Sequence, residues 1–111
     1  MIVVGAATFE TYRDGADVSA AFRDAVEEAG WEHGNGGYTG TIAEKYDYVI
    51  ITRQPMSYDD ASRLASDLIE RADPRVEDKW GPAGAIPVRQ PTSPTEQQDP
   101  DGWLFFGWAS S

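Results

Sequence analysis

Residues 103–109 read WLFFGWA, and both alternating sets along them are apolar: Trp103 and Phe105 on one side, Leu104, Phe106 and Trp108 on the other. A strand with one wet face alternates apolar and polar residues, so this strand needs cover on both faces. Two sources of cover suggest themselves. One is a second copy packed sheet to sheet, giving a homodimer; the other is the proline-rich stretch QPTSPTEQQDPDG, residues 90–102, folded back over the strand.

Upstream, residues 2–12, IVVGAATFETY, are rich in β-branched and aromatic types and predict a first strand, broken by RDGAD. From Asp17, an N-cap residue, Val18, Ala21, Phe22, Ala25 and Ala29 recur at spacings of three and four and predict an amphipathic helix ending at Gly30 or Gly34. TIAEK (41–45) and YVIIT (48–52) then predict a hairpin turning at Tyr46 and Asp47. Pro55 ends that unit, Ser57 caps a second helix, and Asp59 and Asp60 complement its dipole. The apolar face of this helix is Ala61, Leu64, Ala65, Leu68 and Ala72, and a short strand, AIPVR (85–89), precedes the proline-rich stretch. The order β-α-β-β-α-β with an extra C-terminal strand predicts an α+β, ferredoxin-like sandwich with both helices on one face of an antiparallel sheet.

The chain has 111 residues, the size of one domain, and 41% hydrophobic residues including four Trp, five Tyr and four Phe, enough to support a core. It has no cysteine, so disulfides and thiolate chemistry are absent. MIVVGAATFE lacks the basic flank and apolar run of a signal peptide, and no stretch reaches the ~18 to 20 apolar residues of a membrane span. No membrane partner is expected, and a cytoplasmic location follows by default. Nineteen acidic against nine basic residues give a formal charge of -10, which disfavours direct nucleic-acid binding. A second consequence is that an acidic surface could imitate nucleic acid and occupy the basic groove of a host protein.

HGNGGYTGT, residues 33–41, holds four glycines and the only histidine. A phosphate loop runs from strand to loop to helix, whereas this one follows a helix and fits neither the G-x-G-x-x-G nor the G-x-x-x-x-G-K-[ST] spacing, so it is no P-loop. A helix cap and turn account for some of it; four glycines exceed what one cap needs. In the expected topology the loop shares one end of the sheet with TRQPMS and VRQ. His33, Asn35, Gly36, Gly37, Tyr38 and Thr39 then form one wall of a ligand site, with Arg53, Ser57 and Arg89 supplying the charge complement for a polar or anionic small molecule.

GYTGTIAEK, residues 37–45, together with the preceding helix and HG, resembles a segment of small uncharacterised proteins of actinobacteria and their phages. The resemblance spans less than half the chain and implies a phage or mobile-element origin, with no activity.

Other chemistry has less to stand on. His33 with Glu44 is the one acid–base pair, the basis of a small hydrolase or transferase reading, yet no nucleophile signature such as G-x-S-x-G accompanies it. One histidine without cysteine disfavours a transition metal, DPDG (99–102) lacks the later ligands of a calcium loop, and no cofactor is expected. Trp31 and Trp80 sit beside glycines in polar segments, where a ring could stack on a ligand or simply pack. The sequence therefore predicts a non-enzymatic binder of a polar or anionic small molecule or of a protein partner, a host factor among them, acting through the glycine loop.

Overall fold

The computed structural model describes residues 5–33, 39–92 and 99–111. Strand β1 is Ala6–Asp14, helix α1 Val18–His33, strand β2 Tyr48–Ile50, helix α2 Tyr58–Glu70, strand β3 Ala83–Val88 and strand β4 Gly102–Ser110. The four strands form one sheet in the order β1-β4-β3-β2. β1 and β3 run antiparallel to β4, and β2 runs parallel to β3. The chain is thus a small α+β domain with a mixed sheet. Its strand order and the parallel β2–β3 pair depart from the antiparallel ferredoxin-like arrangement.

The pleat of β4 explains the layering. Trp103, Phe105 and Ala109 join Phe9, Ala83 and Ala85 in a core with Ala21, Phe22, Ala25 and Ala29 of α1. Leu104 and Phe106 join Ile86 and Val88 in a second core with Ala61, Ala65 and Leu68 of α2. Successive side chains of a strand point to opposite faces, so the two helices lie on opposite sides of the sheet. The two-sided apolarity of WLFFGWA is answered within one protomer, by a helix on each face. The placing of both helices on one face is therefore corrected, and with it the argument for a sheet-to-sheet homodimer.

Local chemistry sets each element's limits. Asp17 caps α1, its carboxylate accepting from the Ser19 backbone N–H at 2.9 Å. Gly30 does not stop this helix, which continues through Trp31 to His33. Ser57 caps α2 by accepting from the Asp60 N–H at 3.2 Å, with Asp59 and Asp60 in the first turn. At its far end the Asp73 N–H donates to the Leu68 carbonyl and the Ala72 N–H to that of Ile69, the paired closure of a Schellman turn. Ala72 takes the left-handed position of that turn, at φ 52°, and so leaves the apolar face expected for it.

TIAEK is not a strand. Ile42–Glu44 forms a single 3₁₀ turn, capped by the Thr41 hydroxyl, which accepts from the Ala43 N–H. The hairpin is thereby corrected: a side chain oxygen satisfying the turn outweighs the β-branched character of Thr41 and Ile42. Two glycines matter to packing. Gly84 lies so near the Phe106 ring that any Cβ would overlap it, and Gly107, opposite Phe9 in the β1–β4 register, sits at φ 148°. At the other margin of the ladder the Ser111 N–H donates to the Gly5 carbonyl at 3.0 Å, which closes the β1–β4 pair.

Candidate functional site

The ends of the sheet decide where the expected site residues fall. At one end, Val88 of β3 pairs with Gly102 of β4. Arg89 donates its backbone N–H to the Met56 carbonyl there, and Met56 bridges back to Val88, so Ser57 and Arg89 are neighbours in the backbone. Arg53 is exposed in the connection between β2 and Met56. At the other end, Gly40 donates its N–H to the Ser110 carbonyl at 2.7 Å. Gly102 and Ser110 bound the whole of β4, so Thr39 and Arg89 stand about 27 Å apart along the sheet. Asn35, Gly36, Gly37, Tyr38 and the His33 side chain lie outside the described residues.

Thr39 has local work. Its hydroxyl donates to Glu44 Oε2 at 2.7 Å, its N–H to the same oxygen at 3.2 Å, and the Thr41 hydroxyl lies 2.8 Å away. Glu44, the partner invoked for acid–base chemistry with His33, thus ties the chain before the 3₁₀ turn to the turn itself. Ser57 spends its hydroxyl on the α2 cap. Among the described residues no group of three His, Asp or Glu could hold a metal ion, and no helix is long and apolar enough to cross a membrane.

A different set of residues converges between α1 and the β2 margin. The Ala21, Ala25 and Ala29 ridge lets α1 lie close to the sheet, and Phe22 beside that ridge meets Phe105 at 5.5 Å and Tyr48 at 5.1 Å between ring centroids. The Tyr48 hydroxyl is 2.7 Å from Ser19 Oγ, fixing the ring against the helix. Phe22, Val26, Tyr46 and Tyr48 line a hollow of about 490 Å³ with Arg23 and Glu27 at its rim. A second hollow adjoins it, sharing Val26 and Glu27 and reaching Trp31. Trp31 is 90% exposed and Tyr46 96%, on either margin of this surface.

Tyr46 is held outward by its neighbour. Lys45 is only 2% exposed and donates to the carbonyls of Asp78, Lys79 and Gly81 at 3.3, 3.3 and 2.8 Å. Burial pushes its ammonium below the usual lysine range, and the Asp78 carboxylate acts against that push. The strand entry is thereby pinned to the loop before β3, and the next residue, Tyr46, faces solvent. That loop presents Trp80, 62% exposed, under the Lys79 ammonium at 5.4 Å from the ring centroid.

The sequence singles out Trp31 but not Tyr46 or Lys45. Their signal is the run EKYDY, charged and aromatic residues in turn, which the hairpin reading absorbs as the turn between its two strands. Compared with protein-family models, curated proteins and solved structures, the chain matches none.

Proposed function

We propose that this chain is a non-enzymatic binding protein whose partner is another protein, engaged through the Phe22–Val26–Tyr48 hollow with Trp31 and Tyr46 as anchors. The observation that carries this reading is the near-complete exposure of two large aromatic rings beside two adjoining hollows that share Val26 and Glu27, the one at Tyr46 being mainly apolar. Tryptophan and tyrosine dominate the energetic centres of protein interfaces, where truncating one costs about 2 kcal/mol or more. The surface is broad and open, which suits a protein better than a small molecule, since small-molecule sites enclose most of their ligand. A charge of -10 favours a partner with a basic rim and speeds its encounter. The resemblance of residues 37–45 to actinobacterial and phage proteins makes a host factor the natural candidate. The polar or anionic small molecule has less support, because Thr39 lies a sheet length from Ser57 and Arg89.

The test is site-specific photo-crosslinking in cells that naturally make the protein, with the reactive group at position 31 or, as control, at position 63 on α2. A discrete adduct from position 31, absent from 63 and lost on Tyr46→Ala or Val26→Asp, is the expected result. Identical adduct patterns from both positions would remove the proposal.

A further inference from the structure

Trp31 and Trp80 both stand exposed, and they differ in what meets their rings. Trp80 has the Lys79 ammonium 5.4 Å from its ring centroid. Trp31, on α1, meets no cation and no other ring among the described residues. It closes a hollow of about 390 Å³ with Val26, Glu27 and Gly30, and Gly30 adds no side chain to crowd the space. Glu27 is the one charged residue of that lining, and among the described residues its carboxylate has no hydrogen bond and no ion pair. Glu27 and Trp31 are four residues apart on the helix, so their side chains are neighbours on one face, with Cβ atoms about 5 to 6 Å apart. The nearby cations are directed elsewhere. Lys45 sends its ammonium to backbone carbonyls, and Arg23 lines only the adjoining hollow, about two helical turns before Trp31.

Charge and shape together choose the occupant. An unpaired carboxylate attracts a cation and repels an acid, and the negative face of an indole ring does the same. Of the two basic side chains, arginine suits this pair better than lysine. Its flat guanidinium stacks on an aromatic face while donating to both carboxylate oxygens, and it gives up its hydration more readily than an ammonium does on an open surface. We infer that an arginine of the partner protein docks in this hollow, stacked on Trp31 and forked onto the Glu27 carboxylate. The inference rests on the partner-binding reading above and adds to it the chemistry of one anchor.

The probe is the acetylated and amidated tripeptide Gly-Arg-Gly, compared with Gly-Lys-Gly and with Gly-citrulline-Gly, which keeps the shape of arginine without its charge. Binding is followed by NMR at the Trp31 indole N–H and the Glu27 carboxyl carbon. The arginine peptide should give saturable shifts at both and bind about fivefold more tightly than the lysine peptide and about tenfold more tightly than the citrulline peptide. Glu27→Gln should weaken it about tenfold and erase its advantage over citrulline, whereas Glu70→Gln, an equal loss of charge at an exposed position of α2, should leave it unchanged. The inference is overturned if the arginine and citrulline peptides bind alike, if Glu27→Gln binds as the parent does, if the shifts gather at Trp80, or if the protein self-associates in a way that Glu27→Gln abolishes. The cellular crosslink from position 31 reports the partner surface separately. An adduct kept in full by Glu27→Gln, with no arginine preference among the peptides, leaves that surface standing and overturns the arginine alone. Arginine preference without any adduct supports the site and tells against the protein partner.

Discussion

The ammonium of Lys45 lies 2.8 Å from the carbonyl oxygen of Gly81, and with two further carbonyls it forms a buried cation whose hydrogen bonds run to backbone, with the Asp78 carboxylate adding to its stability. It joins the entry of β2 to the loop that leads into β3, two segments whose strands run parallel. Lys45→Met keeps the apolar stem and volume but removes the donor to all three carbonyls. A loss of about 2 kcal/mol in urea unfolding is expected, the scale of buried acceptors left unpaired. Tyr46 should become less fixed, visible as narrower and more averaged resonances of its ring.

Ala72 is the one non-glycine residue with positive φ among the described residues, and it holds the position of a Schellman turn where glycine is favoured. Ala72→Gly should raise stability by about 0.5 to 1 kcal/mol, since the strain of an alanine in the left-handed region exceeds the extra entropy of glycine in the unfolded chain. Thermal unfolding of the two proteins side by side measures it. An unchanged or lowered melting temperature would mean that the turn closes differently.

Asp73 accepts from both the backbone and the side chain of Arg75, and these bonds hold its carboxyl at about 2, below its ordinary 3.8. The stability this contributes is present above pH 3.8 and is lost as pH falls toward 2, because the unfolded chain takes up the proton first. Asp73→Asn should therefore flatten the acid limb of the stability curve within that window and leave its neutral portion shifted by a constant. Carboxyl chemical shifts followed by NMR report the titration directly.

The two faces of β4 serve different helices, so neighbouring residues of one strand should fail in different places. Phe105→Ala, on the α1 side, and Leu104→Ala, on the α2 side, are each expected to cost about 3 to 5 kcal/mol. Native-state hydrogen exchange should show α1 amides opening first in the former and α2 amides in the latter. Equal acceleration in both helices would mean that the cores are one cooperative unit.

Much of the scaffold is legible in the residue pattern because local chemistry carries it. Asp17 and Ser57 cap the helices expected from them, the alanine and leucine spacings other than Ala72 lie on the inward faces, and WLFFGWA is apolar on both sides because it is covered on both. The 3₁₀ turn at Ile42–Glu44 was not legible, since β-branched residues suit a strand until a side chain such as Thr41 satisfies the turn. That single element decides where the expected site residues fall. With a hairpin, the chain would cross the sheet twice between Thr39 and Arg53 and bring them to the same end; with one strand, β2, it crosses once and leaves them at opposite ends. Exposure of Trp31 and Tyr46 was equally hidden, because periodicity says which residues are apolar and not which of them the helix leaves uncovered.

The antiparallel ladder that sets Ala6 beside Ser110, with the Ser111 N–H bonded to the Gly5 carbonyl, also fixes how the molecule meets a mechanical load. Tension applied at Gly5 and Ser111 would act across the rungs and not along them. The pairs would separate in succession, from Gly5 toward Asp14, as a zipper does. Such a protein yields to a small pull at its margins while its helices are still seated.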